Sequence, residues 1–192
     1  MVMKRLLVIF LLALALVESP ARAASLEGLS FDDSARLGNR ELQLNGLGVR
    51  GIFIFKAFVA ALYLEHKVAA GPEVLRQGGP KRLQMRMLME IGAEDIKKAL
   101  VDGMRKNVSD AQWQAMQERV SRFSRTIDAI GVARVGDTIT LDYLPEQGMS
   151  LAVNDVPRGT AIAGADFYRA LLEIFVGDDP VDTRLRNGLL GQ

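Results

Sequence analysis

The hydrophobic pattern changes its period near residue 92, and this change limits the chain to folds that combine strands with helices. In residues 81–91, apolar side chains largely alternate with polar ones, which is the pattern of a strand with one buried face. In residues 93–108, apolar side chains recur every four positions, as on one face of an amphipathic helix. A second helix is predicted from Ser109 to about residue 130, because Ser109 and Gln112 are spaced as a capping box.

The segments after residue 135 follow the same two patterns. Residues 136–155 alternate on either side of a turn at residues 145–148, which predicts a β-hairpin. Residues 165–176 predict a helix that ends at Gly177, and a last short helix is predicted to begin near Pro180. Since strands come in runs and do not alternate singly with helices, the order predicts an α+β fold. Its antiparallel sheet would carry helices on one face.

A long apolar stretch at residues 49–64 contains two cations. The stretch is apolar at both parities, which predicts one long strand buried on both faces along most of its length. Arg50 and Lys56 share a parity on this strand, about 20 Å apart at about 3.3 Å per residue. Upstream, residues 40–44 predict a short strand, and the glycines of residues 38–51 predict turns. A cation here either pairs with a local acid at an edge or meets an anion inside a cleft.

The first 23 residues have the pattern of a cleaved signal peptide. A basic start is followed by the apolar run of residues 6–17 and then by Ala21-Arg22-Ala23, which suits signal peptidase. Twelve apolar residues are too few to span a bilayer, which needs about 20. We therefore expect a periplasmic or secreted protein whose single domain covers residues 24–192, with no stable membrane insertion after cleavage. A retained anchor is the alternative.

Composition excludes several classes of function. The chain has no cysteine, so it has neither disulfides nor thiolate metal sites, and His66 is its single histidine. Removal of residues 1–23 changes the formal charge from +1 to −1, which does not favour a nucleic-acid partner. The sequence predicts no cofactor and no metal site.

Five segments occur in order along residues 38–191, namely LNGLGVRG, KAFVAALYLE, GDTITLDYLPEQGMSLAVND, AGADFYRALLEIFVG and LRNGLLG. Together they resemble the bacterial exported branch of the chalcone isomerase-like superfamily. The resemblance implies a large antiparallel sheet with a layer of helices packed over it and a ligand cleft between the two layers. Members of this superfamily either isomerise chalcones or bind fatty acids without catalysis.

The resemblance also implies which residues face the ligand. Arg50 stands at the position of the isomerase arginine, and Phe58 stands at the position of the threonine on the same strand. Asp95 occupies the position of the catalytic tyrosine, and Asp102 that of the helical asparagine. No tyrosine occurs in residues 92–96, so three of the four polar positions are changed and no catalytic residue is assigned.

These substitutions favour a non-catalytic protein that binds a small amphipathic anion, such as a fatty acid, with Arg50 as the anion clamp. One alternative is an isomerase, that is, an intramolecular lyase, which uses Arg50 and an acid such as Asp95. The other is a structural or interaction protein whose cleft is filled by its own side chains.

Overall fold

The computed structural model describes residues 23–52 and 54–192, which form eleven strands and five helices. The strands are β1 Ala23–Leu26, β2 Leu29–Asp32, β3 Ser34–Leu37, β4 Arg40–Ile52, β5 Phe55–Leu64, β6 Lys81–Met87, β7 Ile91–Gly92, β8 Val132–Ala133, β9 Thr138–Leu144, β10 Gly148–Val153 and β11 Val156–Ile162. The helices are α1 Gly71–Arg76, α2 Ala93–Asn107, α3 Asp110–Asp128, α4 Ala165–Val176 and α5 Thr183–Leu189.

Seven strands form one antiparallel sheet in the order β11-β10-β9-β6-β5-β4-β3. The five helices contribute to a single apolar core on one face of this sheet, together with the alternate residues of β5, β6, β9 and β10. This confirms the α+β class and the helical layer on one face. The capping box of Ser109 and Gln112 is also present at the start of α3.

The opposite face of the sheet carries a second, smaller core. The β1–β2 hairpin packs there against β4 and β5, where Phe31, Leu42 and Tyr63 are buried. The Tyr63 hydroxyl donates to the backbone carbonyl of Asp32. Burial, followed by the charge of Asp32, raises the pKa of Tyr63 to about 12. The predicted signal segment lies outside the described residues, apart from Ala23 at the start of β1.

Residues 49–64 do not form the single strand that their composition predicts. Strand β4 ends at Ile52 and β5 begins at Phe55, so the stretch folds into a hairpin whose tip exposes Ile54. Arg50 lies directly opposite Phe58. Lys56 lies opposite Gly51 and pairs with Glu27, so the 20 Å separation of the two cations is wrong. The turn was missed because it contains none of the glycine, proline or asparagine residues that usually mark one.

The glycines of residues 38–51 lie mainly in β4 and not in turns, which corrects the prediction from their composition. Gly46 and Gly48 face α5 so closely that a Cβ on Gly48 would lie 2.3 Å from the carbonyl oxygen of Leu185. The buried Asn45 also stabilises the contact between β4 and α5, because its Nδ2 donates to the Leu189 carbonyl at 2.7 Å. This stretch is therefore the docking surface of α5 on the sheet.

Candidate functional site

A cavity of about 150 Å³ lies between the sheet and the helices, at the end of the sheet where β4 and β5 turn. Strands β4, β5, β6 and β9 form its floor, α2 and α4 form its walls, and the segment before α5 closes one side. Most of the lining is apolar, and it includes Phe58, Met85, Met87, Ile174 and Phe175. The lining residues with charged side chains are Arg50 and Asp95.

Arg50 reaches the cavity from β4 because it shares a sheet face with Gly46 and Gly48, on the side of the helices. Its Nη1 donates to the backbone carbonyl of Val181 at 2.7 Å and lies 3.4 Å from Oδ2 of Asp182. The Arg50 side chain is three-quarters buried, with 25% of its surface exposed. Within the described residues, its Nε and Nη2 have no hydrogen-bond partner, so part of the guanidinium is available to a ligand.

Asp182 links Arg50 to the start of α5. Its Oδ1 caps the helix by accepting from the backbone N–H groups of Arg184 and Leu185, and its Oδ2 accepts from Gly51. Burial alone would raise the pKa of the Asp182 carboxyl, but the backbone donors and Arg50 together hold it below its usual value. No local pattern predicts this contact, because the two residues are 132 positions apart.

The structure brings together three of the four residues that the resemblance implied. Arg50, Phe58 and Asp95 line one cavity, with Asp95 exposed at its rim in the first turn of α2. Asp102 does not line this cavity. Its carboxylate accepts from Lys98 at 2.7 Å on the exposed surface of α2, because the cavity follows this helix only as far as Leu100.

The volume of the cavity limits what it holds in this state. An apolar cavity of roughly 150 Å³ stays dry and accommodates a molecule about the size of benzene. The cavity here has that volume and is lined mainly by Ile, Leu, Met and Phe side chains. Phe58 occupies space where the resemblance implied a threonine, so it shortens the room for an extended chain. A cation beside a small apolar chamber suits a compact molecule with one anionic group.

Comparison with known proteins agrees with this fold. A search of curated proteins found no match to the sequence. Among solved structures, the chain is similar to the fatty-acid binding protein AtFAP1 of Arabidopsis thaliana, with a TM-score of 0.67 and 13% sequence identity. The similarity covers 88% of this chain and 96% of the plant protein, and at this identity it shows the fold alone. Residues 23–191 match the family described as chalcone isomerase-like, and the chain belongs to that family.

Proposed function

We propose that this protein binds an amphipathic anion, such as a fatty acid, in the cavity beside Arg50 and that it catalyses no reaction on it. The observation that carries the proposal is the position of Arg50 in an otherwise mainly apolar lining. The Val181 carbonyl and Asp182 hold the guanidinium through Nη1, which leaves its other nitrogens for a carboxylate. A planar guanidinium binds a carboxylate through two parallel hydrogen bonds.

Two further observations support binding without catalysis. The plant protein that shares this fold is described as a fatty-acid binding protein. In addition, residues 92–96 contain no tyrosine, and Phe58 supplies no polar group to a substrate. An isomerase needs positioned polar groups at the reacting atoms, and the loss of one such group commonly costs roughly a hundredfold in rate.

The test is a calorimetric titration with octanoate, and with its methyl ester as the uncharged analogue. Arg50→Ala should weaken octanoate binding by about 1.5–3 kcal/mol, which is roughly ten- to a hundredfold. Arg50→Lys should restore only part of the affinity, because lysine lacks the planar fork. Lys56→Ala is the matched control, because this cation lies on the same hairpin but pairs with Glu27 at the surface.

Two outcomes would contradict the proposal. In the first, Arg50→Ala unfolds at a markedly lower temperature and still binds octanoate as tightly as the parent, which makes Arg50 a structural partner of Asp182. In the second, the protein accelerates chalcone cyclisation with saturation, and Arg50→Ala abolishes this activity. That result would establish the isomerase alternative.

We also propose that the protein is exported to the periplasm or beyond, with Ala24 as its mature N-terminus. The sequence pattern of residues 1–23 supports this. Intact-mass spectrometry of the protein from its native compartment should give the mass of residues 24–192. A mass that includes residues 6–17 would instead mean that the segment is retained.

A further inference from the structure

A second cavity, of about 440 Å³, lies at the opposite end of the sheet from Arg50. It is open to solvent and is bordered by the start of β6, the end of β9, the C-terminal end of α1, and the facing sides of α3 and α4. None of its lining residues belongs to the cavity beside Arg50. Its volume falls within the range of about 300–1,000 Å³ that is usual for small-molecule sites.

The wall of this second cavity contains a buried cation, Lys81, of which only 4% is exposed. The Lys81 Nζ donates to the backbone carbonyls of Gln77 and Gly79 and lies 5.5 Å from the centre of the Tyr143 ring. An ammonium carries three donors, so one remains after these two hydrogen bonds. Among the described residues, no carboxylate lies within 4.0 Å of Nζ.

The neighbouring acids are already engaged by other cations. Glu65, the acid whose charge acts on Lys81, pairs with Arg40 at 3.4 Å. Asp166 accepts two hydrogen bonds from Arg119, and Glu173 accepts one from Arg169. A buried charge that has no counter-ion of its own is costly, since burial removes its hydration. Within the part of the chain that the structure describes, Lys81 therefore has no carboxylate in direct contact, and an anionic ligand would supply one.

Part of the remaining wall suits a flat or apolar molecule, beside the charged residues Arg76, Asp166, Arg169 and Glu173 that also line it. Tyr143 and Tyr168 stack with their ring centroids 5.0 Å apart. Leu75, Met116 and Leu172 add apolar surface to the same cavity. We propose that this cavity is a second binding site, for a small organic anion whose carboxylate pairs with the Lys81 ammonium and whose body packs on the apolar part of the wall.

The probe for this site is benzoate, with benzamide as its uncharged analogue, and binding is followed by calorimetry and by NMR shift mapping. Benzoate should bind with saturation, more tightly than benzamide, and should perturb residues around Tyr143. Lys81→Met should weaken benzoate binding by roughly ten- to a hundredfold, the loss expected for one charge-assisted hydrogen bond. Lys98→Met is the matched control, because Lys98 is an exposed lysine that pairs with Asp102 on α2.

Two further variants keep the test decisive. Ala115 lies on the exposed side of α3 and lines the cavity, so Ala115→Trp should fill the space without disturbing the core and should abolish the benzoate-induced shifts around Tyr143. If Lys81→Met does not fold, Ala115→Trp still tests whether benzoate binds in this cavity. Because the cavity beside Arg50 also suits a compact anion, the readout for this second site is the set of benzoate-induced shifts around Tyr143, which Arg50→Ala should leave in place.

Three results would overturn the proposal. Benzoate and benzamide could bind equally, which would mean that no charge is recognised. Benzoate binding could survive Ala115→Trp and disappear in Arg50→Ala, which would place the ligand in the other cavity. Finally, an absence of saturable binding at tens of millimolar benzoate would leave Lys81 with a purely structural role towards Gln77 and Gly79.

Discussion

At the scale of single residues, the surroundings of Arg50 contain a feature of each of the two alternatives that its sequence context left open. It lies beside a local acid, Asp182, and it also lines an apolar cavity. The Asp182 carboxylate already accepts hydrogen bonds from three backbone N–H groups, so its charge is shared and Arg50 is only partly neutralised. An incoming carboxylate would therefore still gain from the guanidinium.

Phe58 lines the cavity, and we expect its ring to limit the length of a bound fatty acid. Phe58→Ala should enlarge the chamber and increase the affinity for laurate more than that for octanoate, because only the longer chain uses the new space. Truncation of a fully buried phenylalanine to alanine lowers the free energy of unfolding by about 3–5 kcal/mol. Because Phe58 is only partly buried, Phe58→Ala should lower it by less. Calorimetry with both fatty acids and urea unfolding measure the two effects.

Phe55→Ala is the control for this change, because Phe55 lies on the same hairpin and is 62% exposed. It should alter neither the chain-length preference nor, by more than about 0.5 kcal/mol, the free energy of unfolding. Equal gains for octanoate and laurate in Phe58→Ala would show that this side chain does not limit ligand length.

At the scale of elements, the segments with a strong and simple period were predicted well from the sequence. The helix predicted for residues 165–176 has those bounds in α4, and the strand predicted for residues 81–91 begins as β6. Both carry one apolar face that packs on the main core, so the local pattern and the tertiary contact agree.

The elements that were missed have local sequences that conflict with their tertiary role. Strand β11 contains Pro157 and Gly159, which are unfavourable in strands, yet it forms an exposed edge where both are tolerated. The glycines of β4 resemble a turn and serve instead as a flat surface for α5. The residues of the cavity differ in the same way. The family resemblance implied Arg50, Phe58 and Asp95, whereas the contact between Arg50 and Asp182 is visible only in the tertiary structure.

The glycine contact between β4 and α5 predicts a specific sensitivity. Gly48→Ala should destabilise the protein by about 1–3 kcal/mol, because its Cβ would meet the Leu185 backbone and α5 would have to move. Since α5 carries the Asp182 cap beside Arg50, octanoate affinity should fall as well. Urea unfolding and calorimetry of the same variant measure both effects.

Gly78→Ala provides the comparison for Gly48→Ala. A Cβ at Gly78 has no heavy atom within 4 Å, so this change should be close to neutral for stability and for octanoate binding. If the two alanine variants unfold at the same urea concentration, the close approach of α5 to β4 is not a determinant of stability.

At the scale of the whole molecule, one sheet face supports two cavities that differ in electrostatic character. The cavity near the β4–β5 turn has a cation that a carboxylate and a carbonyl already contact, whereas the opposite cavity has a more deeply buried ammonium held by neutral groups. The two cavities lie at opposite ends of β6 and β9, with the apolar core of the domain between them. Because Lys81 is buried in the folded domain and exposed in the unfolded chain, its protonation makes the free energy of unfolding depend on pH.

Burial lowers the pKa of Lys81 from 10.5 to about 8, against the opposing charge of Glu65. Between these values the unfolded chain binds more protons than the folded one, so the contribution of Lys81 to stability rises with pH. Above about pH 10 the raised pKa values of Tyr63 and Tyr168 act in the opposite direction, because the folded state then holds more protons. The window for Lys81 alone is therefore about pH 8–10.

The difference between the parent protein and Lys81→Met isolates this effect, since the tyrosine contributions cancel. The unfolding free energy of the parent should rise relative to that of Lys81→Met as pH increases from 7 to 10, by at most about 3 kcal/mol. Urea unfolding at pH 7, 8, 9 and 10 measures the difference. Lys98→Met, which replaces an exposed lysine, should show no such rise over this window. A pH-independent difference for Lys81→Met would mean that the folded protein does not disfavour the charged form of Lys81, and that its ammonium is solvated in solution.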